Sequence, residues 1–146
     1  MPHDDEDLAL SCDAGAFRPI GVHHVRWFDW DDDFDLLATT PSSAGETREA
    51  WRGTRERGFR YCGIVEDDHA VARAAVWPYS DDRWEVAAVW TREDRRRRGM
   101  AKSVVSFVTA SVLDAGRIPT LHTQPTNAAM LRVAAAVGFT IIDPVE

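Results

Sequence analysis

Cysteine and tyrosine are scarce, with two of each in the chain. Cys12 and Cys62 stand far apart and match no metal-ligand spacing, which excludes a zinc ribbon or a disulfide framework. Cys62 falls in a strand-like segment and reads as a small core residue. No apolar run is long enough to span a bilayer. The opening MPHDDEDLAL lacks the basic start and apolar core of a signal peptide. A cytoplasmic protein without a membrane partner is therefore expected. Internal repeats, linkers and low-complexity segments are missing too. The 146 residues suit a single domain, 1–146, with one sizeable core and a polar, frayed stretch over residues 1–15.

Excess positive charge is also lacking. The formal net charge is −7, and the first 35 residues carry ten acids against two arginines, so the remainder is close to neutral. Nucleic-acid binding needs a basic footprint, and the balance argues against it. An amine or otherwise cationic substrate is compatible with it, although acidic ends are more often simply solvated.

What is present centres on Trp84 to Ala101. Trp84, Glu85, Val86, Ala87, Ala88, Val89 and Trp90 form a nearly unbroken apolar run with one acid, as in a strand covered on both faces. Thr91, Arg92, Glu93, Asp94 and the four arginines Arg95 to Arg98 follow, then Gly99 and Met100. Ala101, Val104, Val105, Val108 and Val112 then recur at helical spacing. A helix start carries unpaired backbone N–H groups and partial positive charge, which makes it an anion site. A glycine lets a ligand approach the backbone, and arginines add charge and bidentate bonds. The segment reads as a diphosphate cradle placed directly after a central strand. Arg96 and the backbone of Arg97 to Ala101 are its main candidates, while Arg92 and Arg95 read as solvated beside Glu93 and Asp94.

The rest of the chain punctuates clearly. Phe17 to Trp30 suggests a poorly alternating first strand, with His23 and His24 as structural or surface residues. Asp31 to Thr40 suits a short helix broken by Pro41. Ser43 and Glu46 have capping-box spacing for a helix running to about Arg57, with Gly58 as its stop. Phe59–Val65 and Ala70–Trp77 read as a hairpin around Glu66–His69, and Pro78–Asp82 as the turn into the central strand. The long helix ends near Ala115, Ile118–Gln124 reads as a strand, Ala128–Val137 as a helix closed by Gly138, and Phe139–Ile142 as a last strand.

Arg96-Arg97-Arg98-Gly99-Met100-Ala101 resembles the Arg/Gln-x-x-Gly-x-Gly/Ala motif of the GCN5-related N-acetyltransferases (GNAT). Glu85 and Val89-Trp90-Thr91 match the acid and the strand end that precede that motif, and Asn127 with Gly138-Phe139 resembles the family's Asn…Gly-Phe signature. The likeness covers roughly residues 40–142. It implies an acyl-CoA N-acyltransferase fold: a mixed α/β domain with a mostly antiparallel sheet of about six strands flanked by helices. The family commonly has a seventh strand, which nothing obvious supplies here, so the strand is missing or another chain covers the edge, as in a homodimer.

The resemblance implies acetyl-CoA as cosubstrate, no metal, and a primary amine on a small molecule or peptide as acceptor. In the family the pantetheine arm docks where the central and following strands splay, and a backbone N–H, here that of Val89 or Trp90, binds the thioester oxygen. Thr91 ends that strand, Lys102 is placed to reach the ribose phosphate, and Asn127 to bond the pantetheine arm or simply cap its helix.

Glu85, an acid on an apolar strand, is the candidate proton acceptor, directly or through water; the plainer alternative is a strand-end acid paired with Arg83 or another arginine. Many family members carry a tyrosine acid seven residues after the asparagine, where this chain has Ala134. His122 on the next strand is the nearest substitute by topology, unless it is a strand histidine bonded to a neighbour. Trp27, Trp30 and Trp51 are candidate acceptor-pocket walls or ordinary core. Without turnover, the same fold would be an acyl-CoA sensor.

Overall fold

The computed structural model describes residues 7–41 and 48–142. Its elements, in chain order, are β1 (Leu8–Ser11), β2 (Arg26–Trp27), α1 (Phe34–Ala38), α2 (Arg48–Glu56), β3 (Arg60–Glu66), β4 (His69–Trp77), β5 (Arg83–Thr91), a 3₁₀ turn (Glu93–Arg95), α3 (Met100–Asp114), β6 (Ile118–Thr123), α4 (Ala128–Val137) and β7 (Thr140–Ile141). The strands form one sheet in the order β2-β3-β4-β5-β6-β1-β7. All neighbours are antiparallel except β5 and β6.

Local chemistry explains the central elements. The β3–β4 hairpin turns on Asp67 and Asp68, both at positive φ (52° and 64°), the conformation a two-residue hairpin turn needs and short polar side chains tolerate. The four valines spaced along α3, Val104, Val105, Val108 and Val112, are all fully buried against the sheet. With Cys62, Ala74, Val76, Val86, Leu121, Val137 and Phe139 they make the larger core layer. The opposite face carries a second, aromatic layer of Phe28, Phe34, Leu37, Trp51 and Tyr61, with Trp30 packed on it. Side-chain alternation along β4 separates the layers: Ala72, Ala74 and Val76 face α3, while Arg73, Ala75 and Trp77 face the aromatic side.

Three expectations from the sequence are corrected. The stretch taken as frayed contains β1: Leu10 is buried, and the strand is hydrogen-bonded to β6 on one side and β7 on the other. It supplies the seventh strand, so the open slot beside β6 is filled from the other end of the chain. The first strand expected over Phe17–Trp30 shrinks to Arg26–Trp27, because the preceding segment instead ties its backbone to Ser103 and Ser106 of α3. Third, β5 is covered on both faces only in part. Glu85 and Val86 are buried, whereas Ala87 to Thr91 are half-exposed, because β6 leaves β5 beyond Glu85.

The Ser43–Glu46 capping box lies outside the described residues. Both cysteines are free and buried. Among the described residues, no helix is long and apolar enough to cross a membrane.

Candidate active site

The site begins where two strands part. β5 and β6 pair in parallel at Arg83–Ile118, Trp84–Pro119 and Glu85–Thr120, and no further. Beyond that point β6 pairs with β1. On its other edge β5 is irregular too: the register with β4 shifts between Arg73 and Ala75, so Ala88 and Val89 together oppose Ala74. Ala88 sits at φ 55°, unusual for a residue with a Cβ. A bulge of this kind re-aims the backbone and takes an amide out of the ladder. The result is a gap flanked by half-exposed backbone at Ala87 to Thr91.

Glu85 closes the narrow end of that gap. Its carboxylate accepts from the Thr120 hydroxyl (2.7 Å), the His122 backbone N–H (2.9 Å) and His122 Nδ1 (2.8 Å). The last rung between the parting strands is thus made by a side chain. Among the described residues its partner is His122, not the arginine that the sequence offered as the plainer alternative, so it is the fixed end of a histidine pair. Glu85 is buried, but the His122 side chain is 44% exposed, so Nε2 is the end free to meet solvent or ligand. Tyr79 extends the chain, its hydroxyl lying 3.2 Å from Thr120 Oγ1. Because the single Thr120 hydroxyl proton is given to Glu85, Tyr79 is the donor in that contact.

The glycine-punctuated turn lies at the far end of β5. Arg97 (φ 68°) and Gly99 (φ 80°) both take the left-handed conformation. A Cβ at Gly99 would meet nothing within 4 Å, so the surface beside it is open. Ser103 N to Gly99 O is the first bond of the helical ladder, which leaves the amides of Met100, Ala101 and Lys102 without intrahelical acceptors. His23, expected to be structural, fulfils that role: its Nε2 lies 2.7 Å from Arg98 O and buttresses the turn. Arg92 pairs with Asp94 (2.7 Å) and Arg95 with Glu66 (2.7 Å), which takes both out of consideration as free anion ligands. Arg96 bonds the Thr91 carbonyl (3.3 Å) and stays exposed with Arg97 and Arg98, while Lys102 is part-exposed on the first helical turn. Thr91 Oγ1 is buried without a partner at the strand end facing this turn.

Asn127 caps α4, its Oδ1 accepting from Met130 N at 3.1 Å. The Met100 side chain is buried in the core, so only its amide faces outward chemistry. Ala134 is fully buried in the core beneath α4 and offers the gap no side chain. Of the three tryptophans, Trp27 stacks near Phe107 and under Arg60, while Trp30 and Trp51 pack with Tyr61 in the aromatic layer.

Sequence reasoning missed Tyr79, Thr120 and Arg73. Tyr79 and Thr120 carry no local signal, because only the strand pairing brings them to Glu85. Arg73 was detectable as an arginine inside an apolar strand. It is 7% exposed and faces the aromatic layer, its guanidinium 5.5 Å from the Tyr61 ring centre and 6.0 Å from that of Trp90. Its Nε donates to Ala88 O at 3.2 Å and its Nη1 to Thr40 Oγ1. Burial holds its pKa below the ordinary arginine value, partly offset by Tyr61.

Comparison with known proteins places this architecture. The sequence profile described as the acetyltransferase (GNAT) family matches residues 22–139. No curated protein matches the sequence. Among solved structures, a GNAT-family acetyltransferase of Novosphingobium aromaticivorans superposes with a TM-score of 0.73 at 22% identity, covering 94% of this chain and 60% of its own. One from Colwellia psychrerythraea gives 0.74 at 16% identity, over 94% of this chain and 53% of its own. AAC(6')-Iy, solved with the bisubstrate analogue CoA-S-monomethyl-acetylneamine, gives 0.68 at 16% identity, over 84% of this chain and 94% of its own. The chain therefore spans little more than half the length of the first two structures, and identities this low carry the fold alone.

Proposed function

The chain belongs to the GNAT acetyltransferase family, and on that premise we propose that it transfers an acetyl or other short acyl group from acetyl-CoA to a primary amine by direct attack. One observation carries the reading: the gap opened by the parting of β5 and β6 has an amide-presenting bulge on one wall, a histidine–carboxylate pair at its closed end and a glycine-started helix at its mouth. The residues present fit the cosubstrate. The helix amides 100–102 stand free and the surface at Gly99 is open.

Acetyl-CoA would supply an acyl carbon already activated as a thioester. The amides of α3 and Arg96 to Arg98 would hold its diphosphate, Lys102 its ribose phosphate and Asn127 its pantetheine arm. The Val89 N–H, which follows the Ala88 bulge, polarises the acyl oxygen; an oxyanion donor of this type contributes roughly 3 kcal/mol. His122 Nε2 takes the proton from the incoming ammonium, and Glu85 holds the imidazole with Nδ1–H toward itself so that Nε2 is the basic nitrogen. Glu85 thus acts as a positioning residue and His122 as the base, whereas the sequence suggested Glu85 as the base and His122 as a substitute for the tyrosine acid. The departing thiolate needs no dedicated acid, consistent with a buried Ala134.

Incubation with acetyl-CoA and a panel of amines, with free thiol followed over time, tests the proposal. Amine-dependent thiol release supports it. Tight binding of coenzyme A with no release from any amine would instead make the protein an acyl-CoA sensor.

A further inference from the structure

Arg73 is a permanently charged side chain buried without a carboxylate partner among the described residues. Among the described residues its contacts are two neutral oxygens and three aromatic faces. Its five N–H groups make two protein bonds, so three are unused. Among the described residues Nη2 has no protein acceptor. Isolated buried charge is costly, and a guanidinium cannot escape that cost by losing its proton. A stable arrangement of this kind calls for an anion from outside.

The place for one is at hand. A cavity of about 360 Å³ is walled by Thr39, Thr40, Ala70, Trp90, His69 and Arg92. Arg73 stands behind that wall: Thr40 takes its Nη1 bond, and the Trp90 ring centre lies 6.0 Å from its guanidinium. Glu85 lies on the same face of the sheet, since Arg73 pairs with Trp90 and Trp77 with Glu85. Arg73 also bonds the carbonyl of Ala88, the bulge residue beside which the acyl group is proposed to lie. An anion on Nη2 therefore lies on the face of the sheet that carries Glu85, four residues along β4 from the Trp77–Glu85 pair.

We propose that the amine acceptor carries a carboxylate, which Arg73 binds. The planar guanidinium presents parallel N–H groups that match the two carboxylate oxygens. This rests on the acetyl-transfer reading and narrows its substrate.

The test compares matched acceptors at saturating acetyl-CoA: glycine, β-alanine and longer ω-amino acids, each beside its carboxamide, with thiol release as readout. The wild-type protein is expected to favour the carboxylates by at least about tenfold in kcat/KM over their carboxamides. Arg73→Gln should raise KM for the carboxylates and erase that preference, and Arg73→Lys should restore part of it. If Arg73→Gln fails to fold, the wild-type comparison decides by itself. Carboxamides used as well as carboxylates would overturn the proposal and reduce Arg73 to a clamp on the bulge, with acetyl transfer still standing. Thiol release from none of the amines would remove both readings, and coenzyme A calorimetry would show whether the fault lay in the cosubstrate site.

Discussion

His122 meets Glu85 twice, through its backbone N–H and through its ring, at 2.9 and 2.8 Å. One side chain thereby fixes both the strand position and the ring orientation of the histidine. If the pair acts as a unit, Glu85→Gln should lower kcat about 100-fold and leave the affinity for coenzyme A unchanged. His122→Asn should cost a similar amount, and the double variant no more than either alone. Steady-state kinetics with calorimetry decides this. Full turnover in Glu85→Gln removes the pair from the mechanism.

The turn before α3 contains two left-handed residues of opposite character. Gly99 adopts φ 80° freely, whereas Arg97 holds φ 68° with a side chain. Gly99→Ala should cost about 1 kcal/mol from backbone strain alone, and Gly99→Glu should in addition abolish coenzyme A binding. Arg97→Gly should do the reverse, raising stability by up to about 1 kcal/mol while weakening coenzyme A binding. Urea unfolding and calorimetry on the three variants report both quantities.

The N-terminal strand is held by packing as well as pairing. Leu10, 3% exposed, sits in the main core, so Leu10→Ala should cost about 2–4 kcal/mol. The adjoining segment is pinned at Gly138, where a Cβ would lie 2.2 Å from Ala16 O at φ +115°. Gly138→Ala should destabilise by about 3 kcal/mol or more, since the clash is with backbone. Chemical denaturation measures both. Were residues 8–11 frayed in solution, Leu10→Ala would leave stability unchanged.

Burial pushes the Cys62 thiol up to about 12 from 9.0. Folding therefore favours the protonated thiol. The contribution is complete below pH 9 and is lost as pH rises from 9 toward 12. Burial also raises Tyr61, with Arg73 and Arg57 opposing, and this adds to the same alkaline loss. The melting temperature should fall above pH 9, less steeply in Cys62→Ala. Cys12 is raised too, by burial and then by Asp13. Both thiols should thus react with an aromatic disulfide reagent only after denaturation, so thiol-release assays of the native protein start from a clean baseline.

The legible parts of the sequence were those with local signals. Period-2 and helical patterns marked β3 to β6, α3 and α4, and glycines at 58, 99, 116 and 138 marked their ends. Leu8 and Leu10 were hidden among acids, and their strand exists only because β6 and β7 offer it two edges. For the site, the motif residues around Gly99 stood out, while the geometry between Glu85 and His122 did not. Both were named, but their contact depends on a parallel pairing across 35 residues that no spacing encodes. Arg73 went unremarked because an arginine in a strand ordinarily points to water.

The slot filled by β1 also sets a timetable. Leu8 pairs with Thr123 and Ser11 with Thr120, so β1 waits for about 110 further residues before it finds β6. Until then its leucines are exposed company for any passing edge. Closure over such a span is slow compared with forming the β3–β4 hairpin. Folding of this domain should thus include a late docking step, at which a holding chaperone would act on β1.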